Sequence, residues 1–336
     1  MSPLSVILGL SGPVLTESER AFFRDSDPWA FILFSRNIET PKQVKKLCAQ
    51  LRESVGRDCL IFVDQEGGRV QRLKAPHWPT YPAASRFGEL YGVNPAEGRR
   101  AAFLSYRLIA DDLRQLGITA DCAPVLDLPQ PEADPIISDR AFSTRLDAII
   151  DMAHSCMAGL MMGGVAPVIK HIPGHGRAEV DSHKALPKIS TDLKTLRNSD
   201  FLPFQAFKDA PMAMTAHAVY LDHSKTAVTV SKRGMQDLIR DEIGFDGLVM
   251  SDDLDMKALT GSLTRKTERA LAAGCDIALQ CSGRMKDMVE VAKGAGHLEA
   301  AAYRRASVAE NCADSLAKFD RRSAEAEFND LLGSFT

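Results

Sequence analysis

Eight short apolar runs, separated by stretches of helical period, limit this chain to few architectures. The runs are SVILGL from Ser5, AFILF from Ala30, CLIFVD from Cys59, TADCAPV from Thr119, GVAPVIK from Gly164, PMAMTAH from Pro211, GLVMSDD from Gly247 and CDIALQC from Cys275. Helical spacing fills the gaps over Pro41–Val55, Ala96–Leu116, Leu146–Met162, Thr191–Lys208, Ser231–Ile243, Thr264–Ala273 and Ser282–Ala295, with a last stretch over Leu298–Phe319. Thr40 followed by Pro41 reads as an N-cap and first helical position. Strand and helix alternating in this way require parallel strands joined by helical crossovers. Eight units fit an α/β fold of the (β/α)8 TIM barrel type. A doubly wound open sheet is the alternative. No Pro/Gly/Ser-rich linker divides the chain, so one domain over residues 1–336 is expected, with the charged tail RRSAEAEFND from about residue 320 loosely held.

Apolar residues make up 45% and charged residues 25%, enough for a full core in a soluble globular protein. The net charge of −3 gives no general attraction to nucleic acid or to an anionic membrane. The seven cysteines are scattered, odd in number and free of CxxC pairs. That pattern suits reduced thiols and a cytoplasmic setting better than a disulfide framework or a cysteine zinc site. The opening MSPLSVILGLSG lacks a basic leader and reads as a first strand. No run reaches the roughly 20 apolar residues of a membrane helix.

In barrel enzymes the chemistry gathers at the C-terminal ends of the strands. Here the runs end on Asp64, Asp127, Lys170 with His171, Thr215 with His217, and Asp252 with Asp253. So many polar endings on one face are hard to explain by solubility. The stretch KHIPGHGRAEVDSHKALP adds His171, His175 and His183, three of the chain's eight histidines. A metal site is one reading, yet Pro173, Gly174 and Gly176 oppose the helix that would align His171 with His175. No metal or other cofactor is expected. Acid–base work is another reading. In extended backbone, Asp181 and His183 point the same way, so the carboxylate can fix one tautomer and stabilise the imidazolium. A solvated Asp-x-His turn explains the same residues. At Asp252 and Asp253, one aspartate is expected to cap a following helix and the other to face the mouth, as nucleophile, base or metal ligand. The glycines of VDQEGGRVQRL allow a tight turn presenting Asp64, Arg69 and Arg72, and they do not make a nucleotide loop. On composition alone, Arg140 in ISDRAFS would be exposed.

Together, LFSRNI, VDQEGGRVQRL, APVLDL, SDRAF, KHIPGHG with DSH, MTAHAVY and GFDGLVMSDDLDM resemble the bacterial β-N-acetylhexosaminidases of glycoside hydrolase family 3, in that family's order. The length is similar to that of the short, single-barrel members. The resemblance implies Asp252 as nucleophile, His183 as acid/base with Asp181 as its dyad partner, and Asp64, Arg72, Arg140, Lys170 and His171 as sugar contacts. It implies a retaining hydrolysis that removes terminal β-linked N-acetylglucosamine from peptidoglycan-derived fragments (N-acetylglucosaminyl-anhydromuropeptides) during cell-wall recycling, by a cytoplasmic monomer. The rival readings are a phosphorylase using the same site, a metal-dependent barrel hydrolase and a non-catalytic sugar-binding barrel.

Overall fold

The computed structural model describes residues 2–314 and 316–333. All eight predicted runs are strands: β1 Leu4–Leu8, β2 Pro28–Leu33, β3 Ile61–Val63, β4 Ala120–Asp121, β5 Ala166–Pro167 with β6 Ile169–Ile172, β8 Met212–Thr215, β10 Leu248–Asp253 and β11 Ile277–Gln280. Two short extra strands, β7 Lys188–Ile189 and β9 Val219–Tyr220, pair with each other outside the main sheet. The main sheet runs β5-β4-β3-β2-β1-β11-β10-β8-β6, parallel throughout. Its two outermost members belong to one continuous run. β5 pairs with β4 on one side and β6 with β8 on the other, so the sheet curls shut into the (β/α)8 barrel. A doubly wound sheet keeps two free edges and is thereby excluded.

Alternation along each strand fills both sides of the barrel wall. Ile7, Ile32, Phe62, Leu248 and Met250 pack in one cluster with Leu298, Ala306 and Ala309. Their neighbours Val6, Leu8, Phe31, Leu33, Ile61, Val63 and Val249 pack in the larger cluster with the surrounding helices. The helix Ala300–Asn311 thus closes one end of the barrel, and the Trp29 indole N–H donates to Glu310 at 2.7 Å there. The other end stays open for chemistry.

Local signals explain most crossovers. Thr40 Oγ1 accepts from Gln43 N–H, Pro41 starts the helix to Val55, and Gly56 ends it at φ +66°. The stretch over Thr191–Lys208 breaks into Leu193–Arg197 and Phe201–Ala206. The helix Glu17–Ser26 was not expected, although Thr16 and Glu19 form a capping box whose T-x-x-E signature is in the sequence. No helix among the described residues is long and apolar enough to cross a membrane. The seven cysteines are free.

The tail departs from expectation. Arg321–Gly333 is a helix docked on the helix Pro95–Leu116, where Arg321 meets Asp111 at 2.8 Å and Asp112 at 2.6 Å. Ala324 and Phe328 are buried, Phe328 beside Phe87. Charge in this tail marks ion pairs, and its two buried apolar residues decide where it lies. Phe328→Ala should lower the unfolding free energy by about 3 kcal/mol, as deletion of a buried phenyl does, measured by urea titration. A change within experimental error would mean that the tail does not dock.

Candidate active site

The open end of the barrel holds a cavity of about 190 Å³. Asp64, Arg72, Arg140, Lys170, His171, His183 and Asp252 all line it, although they come from five separate segments of the chain. Asp181 stands behind His183 and completes the predicted set.

Buried ions form one wall. Lys170, only 2% exposed, projects from β6 and places Nζ 3.1 Å from Asp64 and 2.6 Å from Glu66. Arg140 meets Glu66 through two bonds of 2.8 Å, and Arg72 meets Asp64 at 2.9 Å. Burial opposes charge on both carboxyls, but the cations outweigh it. Lys170 and Arg72 hold Asp64 well below the usual carboxylate range, and Arg140 and Lys170 hold Glu66 at about 2. Burial likewise opposes the charge on Lys170, and Glu66 and Asp64 raise it above the usual lysine range. Arg140 is therefore not the exposed residue that composition suggested; Glu66 draws it inside. A tight turn sets this wall, as expected. Gly67 sits at φ +92°, and a Cβ there would meet the Pro82 carbonyl at 2.2 Å. The turn returns Arg72 over Asp64, while Arg69 is held by Asp139 at 2.8 Å.

Asp127, fully buried at the end of its run, organises the next wall. Its Oδ2 lies 2.6 Å from His171 Nδ1, and its Oδ1 accepts from the backbone N–H of His171 and of His175. Burial opposes its charge, and chiefly His171 keeps it below the usual value, so it acts as an acceptor. His171 then donates to it through Nδ1, and no hydrogen bond among the described residues engages Nε2. Gly176 is forced by close approach, since a Cβ would meet the Leu128 carbonyl at 1.9 Å. No group of three or more His, Cys, Asp or Glu among the described residues is arranged to hold a metal ion.

Asp252 occupies the end of β10. Its only hydrogen bond among the described residues is from Asp253 N–H at 2.8 Å. Burial opposes its ionisation, yet the His217 and His171 rings and the Asp253 N–H keep it below the usual range. Asp253 also lines the cavity, and burial, Asp255 and Asp252 push it up to about 7. Its Oδ1 accepts from Asp255 N–H and Cys281 N–H. The expected cap role is overturned: turns follow β10, and the next helix, Leu263–Ala273, is capped by Ser262. Asp255 instead binds Ser282 N–H and Gln280.

The Asp181–His183 contact forms, but not in extended backbone. Residues 182–184 make a turn in which Asp181 Oδ1 accepts from both the backbone N–H of His183 (2.9 Å) and its Nδ1 (2.8 Å). The imidazole is 65% exposed. At one end the loop is anchored by Arg177 to Asp200 at 2.7 Å, and its middle rests on the loop that follows β10 through Ala258 N–H to Ser182 O.

Comparison with known proteins decides the family. The glycosyl hydrolase family 3 N-terminal domain matches residues 16–308. The chain belongs to glycosyl hydrolase family 3. The "Beta-hexosaminidase" of Thioalkalivibrio sulfidiphilus is 38% identical over 84% of this chain and 82% of its own, and that of Pseudomonas aeruginosa is 36% identical over 83% of both. The crystal structure of native NagZ from Neisseria gonorrhoeae superposes with a TM-score of 0.87 at 29% identity, covering 99% of this chain and 98% of that one. NagZ has also been crystallised with N-trifluoroacetyl-D-glucosamine, a structure with a TM-score of 0.88 to this family 3 chain.

Two residues of this family 3 site escaped the sequence reading. Glu66 precedes the paired glycines of VDQEGGRVQRL, and Asp127 was noted only as a polar strand ending. Position could have found Glu66, which stands two residues after Asp64 on the turn that presents Arg72. Glu66 lies below its unfolded value of 4.5, so it contributes stability above about pH 4.5 that is lost as pH falls toward 2. Glu66→Gln should therefore lower the unfolding free energy at neutral pH by on the order of 3 kcal/mol. It should also flatten the loss of stability between those pH values, read as urea midpoints against pH; an unchanged acid limb would contradict the assignment.

Proposed function

We propose that this family 3 hydrolase is a retaining exo-β-N-acetylglucosaminidase. One observation carries the reading: an ionised carboxylate outside the ion-pair network, Asp252, shares a small cavity with a carboxylate-buttressed imidazole, His183, and with a wall of paired ions suited to hydroxyls. The relatives' β-hexosaminidase activity and the N-acylglucosamine ligand of NagZ support the sugar class.

Asp252 attacks the anomeric carbon from the face opposite the leaving group. The bond to the aglycone oxygen breaks, and protonated His183 delivers its Nε2 proton to that oxygen. Asp181, accepting from Nδ1, fixes the ring so that Nε2 is the nitrogen that exchanges protons. Water then attacks the glycosyl-aspartate, neutral His183 takes its proton, and Asp252 leaves as carboxylate. Two inversions give net retention. Most glycosidases use two carboxyl groups for this work. Asp253, near neutrality in pKa, is the competing acid, but its oxygen is committed to two backbone N–H groups beside the nucleophile. Lys170, Asp64, Arg72, Arg140 and His171 hold the ring hydroxyls, so that binding energy positions the reacting carbon. The substrate is a terminal β-linked N-acetylglucosamine on peptidoglycan-derived muropeptides, met in the cytoplasm by a monomeric enzyme during cell-wall recycling.

Trapping with a 2-fluoro sugar and peptide mapping should place the adduct on Asp252; an adduct elsewhere overturns the mechanism. With an aryl N-acetyl-β-glucosaminide in phosphate buffer the product should be free sugar, and release of sugar 1-phosphate would identify a phosphorylase. His183→Ala should slow substrates with poor leaving groups by about 10²- to 10⁴-fold and activated aryl glycosides far less. Equal losses on both, or the leaving-group dependence appearing in Asp253→Asn instead, would remove His183 from the acid role.

A further inference from the structure

His175 lines the cavity with 4% of its surface exposed, and its two ring nitrogens are buried and, among the described residues, without a hydrogen-bond partner. Buried polar groups are normally satisfied, and an orphaned one is costly. Packing gives no reason to keep a polar ring here. The backbone around it is fixed: His175 N–H donates to Asp127 at 2.7 Å, its carbonyl accepts from Ala178, and Tyr220 donates to the Gly174 carbonyl at 2.6 Å. These bonds fix the backbone of His175, while no hydrogen bond sets the orientation of its ring, which can turn a nitrogen toward the cavity. Its centroid stands 5.6 Å from that of His171, tilted at 56°, so the two rings are not stacked on each other. Among the described residues no third ligand joins them in a group that could hold a metal.

We infer that His175 is a specificity-determining residue that hydrogen-bonds a hydroxyl of the sugar bound in this cavity. The inference rests on the proposed sugar substrate. Burial, then the neighbouring His171, holds the ring down to about 4, so it is neutral at working pH and is not a second acid. A neutral imidazole offers one donor and one acceptor, and a hydroxyl can meet either. Asp64, Lys170, Glu66 and Arg140 are already paired, whereas His175 has its whole hydrogen-bonding capacity in reserve.

The test compares wild type with His175→Phe, which keeps a planar ring and removes both nitrogens, on an aryl N-acetyl-β-glucosaminide and its singly deoxygenated analogues. The variant should melt no lower than wild type, because it loses an unsatisfied polar group. Its kcat/KM on the full sugar should fall by about 10- to 100-fold. One analogue should already show that loss with wild type and show little further loss with the variant. Equal losses on every analogue, or no loss on any, overturns the inference while leaving the hydrolase reading intact. Absence of wild-type turnover overturns both.

Discussion

A lysine ammonium buried between two carboxylates holds the mouth of this barrel together. Removing three such ions from water is costly, and their mutual attraction offsets the cost only because Arg72 and Arg140 complete the set. The wall that results carries fixed charges whose positions do not depend on ligand. In the proposed reaction, hydroxyl groups arriving there would meet preoriented donors and acceptors, leaving little reorganisation for the moment of reaction.

The same device appears twice with different outcomes. Asp127 holds His171, and Asp181 holds His183, each through Nδ1. The first pair is buried on a strand end and cannot move. The second stands on an exposed turn, tethered at its base by Arg177 and resting on Ala258. In the proposed mechanism an imidazole buttressed by carboxylate thus serves as a buried sugar contact or as an exposed proton carrier. The backbone beneath it selects between these roles.

Much of the architecture was legible because hydrophobic period reports backbone period. All eight runs became strands, and Pro41–Val55 and Leu146–Met162 began and ended where their spacing placed them. The site was legible as a set of residues, since strand endings converge in a barrel. Its internal geometry was less so. Glu66 and Asp127 act through partners that lie distant in sequence, and no local pattern records that pairing. Arg140 was misread from composition because a buried counter-ion cannot be seen from one side of the pair. The Asp181–His183 contact was expected from strand geometry and arose from a turn instead. Both geometries bring i and i+2 together, so the contact survived a wrong premise. The tail was misread because charge was weighed and Phe328 was not.

Barrel closure and site assembly are a single event in this chain. The stave bonded on both its edges, Ala166–Ile172, is also the one that carries Lys170 and His171. Any state with the cylinder unzipped at that seam has lost its central cation and one fixed imidazole. On the proposed mechanism, partly opened molecules lack two of the groups that hold the sugar, so turnover would report how many barrels are shut.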